Sequence, residues 1–267
     1  MSQERKVSYV LITGTTSGLG REFARLFAQN GYNIVAVARN EVLLQQQKQE
    51  LERQFGIEMV YVVKDLSAEN SAQEVYDEIK HKGINIDILI NNAGFGSFGR
   101  YIDVDWQRQK GLASVNMLAV MQLSYLFGKD MDRRGEGKIV NIASIASFQA
   151  GPYMAMYYAS KAFVRSFSEA LHEEMKSSGV SVTAICPGPV ATNFERNAQM
   201  INSAMFTRLR VYTPEVVAAK SYRAIMNNKA VYVVGWPNKL LVFLTRFCSL
   251  KFSRVLASKI NLGSGRK

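Results

Sequence analysis

Short apolar runs rich in β-branched residues recur along this chain, and they alternate with longer stretches whose apolar positions fall at helical spacing. Val7–Ile12 predicts a strand, and the segment "REFARLFAQNG" that follows a glycine-rich turn predicts a helix stopped at Gly31. Ile34–Ala38 predicts the second strand, Glu41–Phe55 a polar helix ended by Gly56, and Met59–Val63 the third strand. Ser67–Lys82 predicts a helix with Ser67 as its N-cap. Further strands are expected at Ile86–Ile90, Lys138–Ile142, Val180–Ile185 and Ala230–Val234. Between them fall helices around Asp105–Gly128 and Met154–Ser177, and one begun by Thr213-Pro214-Glu215.

Strands alternating with helices of this length pair in parallel through right-handed crossovers. Their near-continuous apolar character fits a sheet covered on both faces. The pattern therefore predicts an α/β fold, a single doubly wound Rossmann-type domain over residues 1–235 with a parallel sheet flanked by helices. Residues 189–213 interrupt the alternation, and residues 236–267 form a basic, amphipathic C-terminal extension.

Composition narrows the setting. Of the 267 residues, 48% are apolar and 21% charged, a globular mix. Gly111–Gly128 carries no charge and reaches the lower limit for crossing a bilayer, yet it holds Ser114, Asn116, Gln122 and Ser124. It reads as a core helix or a subunit interface, and a homodimer or homotetramer is expected. Cys186 and Cys248 cannot frame a disulfide scaffold, and no secretory leader is legible, so a cytoplasmic location is expected. The net charge of +11 favours anionic partners. No stretch reads as a nucleic-acid motif. A phosphorylated cofactor, an acidic carrier or a lipid surface fits the charge equally well.

The chemistry begins in "TGTTSGLG", with glycines at 14, 18 and 20 between a strand and a helix. Such a loop makes a tight turn, lets the backbone approach a pyrophosphate, and aims a helix N-terminus at it. The strand that follows ends in Ala38-Arg39, where an acidic residue would grip the ribose 2′-hydroxyl of NAD. A guanidinium there suits a 2′-phosphate, so NADP(H) is expected over NAD. Farther on, "YYASK" sets Tyr157 and Tyr158 one helical turn before Lys161. Either phenol could donate a proton with the ammonium beside it, because an ammonium favours the phenolate and lowers a phenol pKa.

Taken in order, Thr13-Gly-x-x-x-Gly18-x-Gly20, Asp65-Leu66, Asn91-Asn92-Ala93-Gly94, Asn116, Ser144, Tyr157-x-x-x-Lys161 and Pro187-Gly188 make the chain resemble the short-chain dehydrogenase/reductase family from about Val7 to Val234. The resemblance selects Tyr157 as the catalytic acid/base and leaves Tyr158 to pack beside the site or to face a subunit neighbour. It implies that Ser144 hydrogen-bonds the substrate oxygen, that Lys161 also holds the nicotinamide ribose, and that Asn116 anchors a proton-relay water. It also implies that Gly14, Thr16, Ser17, Gly18, Leu19 and Gly20 hold the pyrophosphate, and Asp65 and Leu66 the adenine. Asn92, with Ala93 and Gly94 beside it, would take the adjacent ribose, while Pro187, Gly188, Val190 and Thr192 would seat the nicotinamide. No motif implies a metal.

The segment 193–212 falls where such enzymes carry a flap over the substrate, and its Phe194, Met200, Met205 and Phe206 are apolar. With Phe95, Phe148, Tyr153 and Met154 they would build a pocket for a hydrophobic carbonyl or alcohol substrate. A 3-oxoacyl thioester on coenzyme A or acyl carrier protein is the rival substrate. A nucleotide-sensing protein without turnover is the rival from another class. Residues 236–267 could make weak contact with a membrane surface, or equally cover a subunit or the substrate cleft.

Overall fold

The computed structural model describes residues 8–194, 198 and 210–262. Met200, Met205 and Phe206 lie outside the described residues. Seven strands, β1 (Tyr9–Thr13), β2 (Asn33–Ala38), β3 (Met59–Val63), β4 (Ile86–Asn91), β5 (Gly137–Ile142), β6 (Val180–Cys186) and β7 (Val231–Val233), form one sheet. Their order is β3-β2-β1-β4-β5-β6-β7, and every neighbouring pair is parallel. This is the doubly wound topology that the alternating pattern predicts.

Helices α1 (Gly18–Gln29) and α2 (Glu41–Phe55) cover one face with α7 (Pro214–Met226), and α3 (Ser71–His81) and α5 (Ala119–Arg134) cover the other. Phe23, Phe27, Ile34, Leu44 and Met59 are fully buried on the first side, Leu11, Val75, Ile79, Leu89 and Ile139 on the second. Truncating any of these large side chains costs about 2–5 kcal/mol through lost burial and the cavity left behind. Helix α2 keeps the predicted bounds because its ends are chemically marked. The Asn40 side chain accepts from Leu43 N at 3.0 Å, and Gly56 takes a left-handed φ of 66°.

Two predicted elements differ. The helix expected from Ser67 begins at Ser71 instead, after Asn70 with φ 60°. Ser67 is held in a turn, where its N–H and hydroxyl both donate to Asp65 Oδ1, at 2.9 and 2.7 Å. The helix expected around Asp105–Gly128 runs on to Gly135 as α4 (Trp106–Ala113), a π-turn over Ser114–Leu118, and α5. This helical run is long and apolar enough to span a bilayer by length and composition, but Leu112, Leu123, Phe127 and Met131 are buried in the core beside the sheet. α6 (Ala155–Glu174) carries both tyrosines, and the C-terminal extension forms α8 (Trp236–Thr245) and α9 (Leu250–Leu262).

Candidate active site

The strand order reverses between β1 and β4, which leaves a crevice at the carboxyl ends of the parallel strands. A cleft of about 1090 Å³ opens there, running from Arg39 past Tyr157 to the C-terminal helices. The glycine loop forms its floor. Gly14 and Gly18 have φ of 73° and 54°, and a Cβ on Gly20 would sit 2.1 Å from Gly14 O. Only glycine permits that approach. Ser17 caps α1 in extended conformation with no side-chain cap bond, so the first helical N–H groups are available to an anion.

The loop is pinned to β4. Thr13 Oγ1 accepts from Asn92 N and Ala93 N at 3.0 and 2.9 Å, and Asn92 Nδ2 donates to Thr13 O and Gly14 O at 2.8 and 3.2 Å. Asn92 lines the cleft, but its amide protons brace the loop rather than reach outward. Thr16, Ser17, Gly18, Leu19, Ala93 and Gly94 line the same floor, while Gly20 lies beneath it. Arg39 stands at the far end with Asp65 and Leu66. Its guanidinium is 3.8 Å from Asp65 Oδ2, and with side chains 77% and 46% exposed the pair is loosely held. Burial raises the Asp65 pKa, but the two Ser67 hydrogen bonds and Arg39 outweigh it and hold the carboxyl below its ordinary range. Asn40, Leu43 and Lys64 share this end of the cleft, and no motif had singled them out. The residues present fit a dinucleotide.

Ser144, Tyr157 and Lys161 are all buried and line the middle of the cleft. Ser144 ends β5's extension, and its Oγ accepts from Ala146 N at 3.1 Å at the head of a short 3₁₀ turn. Lys161 Nζ donates to Ile142 O at 2.7 Å and lies 5.9 Å from the centre of the Tyr157 ring. Burial pushes the Lys161 amine down to about 8, with a small opposing effect of Cys186. Burial pushes the Tyr157 phenol up to about 12, and a Ser144 hydrogen bond offsets only part of this. The sequence reading expected the ammonium to lower the tyrosine pKa. In the protein by itself the direction is the reverse, because desolvation outweighs the opposing hydrogen bond.

Asn116 is fully buried within the π-turn, a feature that recurs at functional positions in helices. Its Oδ1 accepts from Phe95 N at 3.1 Å, and its Nδ2 donates to Phe95 O at 3.0 Å and Ser160 Oγ at 3.1 Å. The side chain thus braces the cleft wall, and any water it anchors must use the main chain. Pro187, Gly188, Val190 and Thr192 line the cleft opposite. The β-bridge Val190–Tyr212 closes the base of the flap segment.

Phe95, Phe148 and Phe194 line the apolar end, and Phe194 packs 5.2 Å from the Tyr157 ring centre. Tyr153 is a correction: it is not among the lining residues, has φ of 67°, and sets its ring 6.4 Å from that of Phe98. Met154, fully buried, packs beneath the cleft rather than lining it. Tyr158 lines the cleft beside Tyr157. Its hydroxyl donates to Asn261 Oδ1 at 3.2 Å, and Asn261 Nδ2 donates to Pro152 O at 2.8 Å. Helix α9 is thereby latched across the cleft, and Leu241, Leu244, Phe252, Leu256 and Ile260 of the C-terminal helices complete its apolar wall. A cover over the substrate cleft is one of the roles the sequence allows the extension, but it singles out none of these residues. The one available signal was the small, polar spacing Ser253, Ala257, Asn261, which proves to be the buried stripe of α9.

The chain matches the short chain dehydrogenase family over residues 8–201. It is 34% identical over 195 residues to a very-long-chain 3-oxoacyl-CoA reductase of Bos taurus, covering 70% of this chain and 61% of that protein. The chain thus spans about three-fifths of the length of that relative. A short-chain dehydrogenase from Sphingobium yanoikuyae, solved in complex with NADPH, superposes with a TM-score of 0.81 at 26% identity, over 90% of this chain and 94% of the other. A bulky-bulky ketone specific alcohol dehydrogenase from Comamonas testosteroni gives 0.76 at 26% identity, over 90% and 92%. With the glycine loop, the Asn-Asn-Ala-Gly strand end and the Ser144, Tyr157 and Lys161 group each in place along the matched residues, this chain belongs to the short-chain dehydrogenase family of oxidoreductases.

Proposed function

We propose that the protein is an NADP(H)-dependent oxidoreductase that interconverts a hydrophobic carbonyl compound and its secondary alcohol. The observation that carries this reading is the burial of Ser144, Tyr157 and Lys161 together in one cleft that has a guanidinium at one end and an apolar wall at the other. When bound, the nicotinamide supplies the hydride for reduction, and accepts it in the reverse direction. Gly14–Gly20, Arg39, Asp65, Leu66 and the segment Pro187–Thr192 would hold and orient the dinucleotide.

The chain's own part is proton handling and exclusion of water. Ser144 Oγ donates to the substrate oxygen and stabilises charge that develops there. Tyr157, protonated at neutral pH, gives its phenolic proton to that oxygen in reduction and takes it back in oxidation. Lys161, titrating near about 8, is poised to restore the phenol proton. The aromatic and C-terminal side chains around the site keep it dry, which strengthens each of these interactions.

A ketone flanked by large apolar groups fits the cleft, and the Comamonas testosteroni neighbour acts on bulky-bulky ketones. A 3-oxoacyl thioester is the second reading, favoured by the 34% identity to the bovine 3-oxoacyl-CoA reductase. Pairing of two copies through the end of the π-turn and α5, where Leu118, Met121 and Tyr125 are exposed, belongs to the same proposal.

The test is NADPH consumption against aliphatic ketones, aldehydes, steroids and 3-oxoacyl thioesters, with wild type, Tyr157→Phe and Tyr158→Phe in parallel. Turnover abolished by Tyr157→Phe and retained by Tyr158→Phe supports the reading. NADPH binding with no turnover of any compound counts against catalysis and favours the nucleotide-sensing alternative.

A further inference from the structure

The two C-terminal helices do more than wall the cleft. Asn238 and Val242 of α8 and the stripe Ser253, Ala257 and Asn261 of α9 are buried against the domain, whereas the outer side of both helices is apolar and exposed. Trp236, Leu240, Phe243, Phe247, Leu250 and Val255 are all exposed, with Trp236 72%, Phe247 75% and Leu250 85% accessible. None of these six lines the cleft. A soluble surface scatters such side chains singly, but here they crowd into two consecutive helices and the turn between them. Among them stand Lys239, Arg246, Lys251, Arg254 and Lys259, every one exposed, and residues 236–262 contain no Asp or Glu.

We propose that the outer face of α8 and α9 docks on an anionic lipid bilayer, with the aromatic and aliphatic side chains entering the headgroup boundary and the five cations meeting lipid phosphates. Trp, Phe and Leu beside Lys and Arg on a helix that lies flat are the composition such interfacial helices use. The charge selects the occupant. A second copy of this face would bring five cations against five, with no carboxylate on either to relieve them, whereas an anionic leaflet attracts each one. The same helices form the apolar wall of the cleft through Leu244, Phe252 and Leu256, so docking sets the cleft beside the lipid phase. The docking claim does not rest on the reductase reading.

The test is flotation of the full chain with vesicles of phosphatidylglycerol and phosphatidylcholine, and with vesicles of phosphatidylcholine alone. Wild type is compared with F247S/L250S, which removes outward apolar groups, and with K251E/R254E, which reverses outward charge. The expected result is co-flotation with the anionic vesicles that is lost at high salt. Each double variant should lower the partition coefficient at least tenfold while leaving the melting temperature and NADPH binding unchanged. Failure of wild type to float, or equal flotation of all three proteins, overturns the proposal. So does a concentration-dependent dimer in sedimentation velocity that F247S/L250S disrupts with no vesicle binding, which assigns the face to a second copy. The vesicles contain no substrate, so a failure to find turnover leaves this result intact.

Discussion

Replacing Asn261 by Ala cuts the latch that holds α9 over the cleft. The substitution removes the bond from Tyr158 Oη, 3.2 Å, and the bond to Pro152 O, 2.8 Å. Tyr158 is only 5% exposed, so its hydroxyl is left unpaired in the interior. A buried polar group without a partner costs about 1–3 kcal/mol, and the half-buried Pro152 carbonyl adds an amount near the lower bound. The sum, about 2–4 kcal/mol, falls on local opening of the helix rather than on global unfolding, because few long-range bonds besides these tie α9 down. Each 1.4 kcal/mol is tenfold, so the opened population rises by roughly 30- to 1000-fold. Brief trypsin digestion followed by mass spectrometry reads this directly, since Lys251, Arg254 and Lys259 lie on the helix. Tyr158→Phe keeps the Pro152 bond and should show a smaller gain, roughly 5- to 30-fold. Cleavage of Asn261→Ala within twofold of wild type would refute the latch, as would a larger effect of Tyr158→Phe.

Other outcomes follow from the same geometry. Gly20→Ala forces a Cβ to 2.1 Å from a backbone oxygen that cannot yield, so the loop must shift; NADPH affinity by fluorescence titration should fall at least tenfold, with about 1–3 kcal/mol lost in stability. Arg39→Ala should raise KM for NADPH by tenfold or more and leave KM for NADH within twofold, which steady-state kinetics with both cofactors would check. Lys161 titrates near about 8 when folded, below its unfolded value near about 10.4, so the unfolded chain holds the extra proton between those limits and stability rises with pH across them. Denaturant titrations should show wild type gaining about 2 kcal/mol relative to Lys161→Met from pH 7 to 9.5, and parallel curves would defeat that reading. The Tyr157 phenol, pushed up to about 12, acts oppositely: its contribution is full below about 10 and is lost as pH climbs toward 12, and Tyr157→Phe should remove that alkaline loss in the same titrations.

Much of this molecule was legible along the chain, because the features concerned are local. Asn40 and Gly56 bound α2 by their own side chain and backbone, and the β-branched runs declare their strands without help from distant residues. Gly14, Gly18 and Gly20 announce a loop that no side chain could occupy, and the Tyr157 and Lys161 spacing follows from helix periodicity alone. The rest was decided by competition among local bonds and by contacts between residues far apart in sequence. Ser67 is withdrawn from helix capping by Asp65, a competition between two local bonds that propensity cannot rank. The sign of the Tyr157 shift depends on how deeply the side chain is buried. The role of Tyr158 depends on Asn261, 103 residues away, and the small residues that let α9 lie against the domain carry no hydropathy signal. Periodicity reports which positions seek burial, but it does not say which partner buries them, and here the partner of the C-terminal helices is the cleft itself.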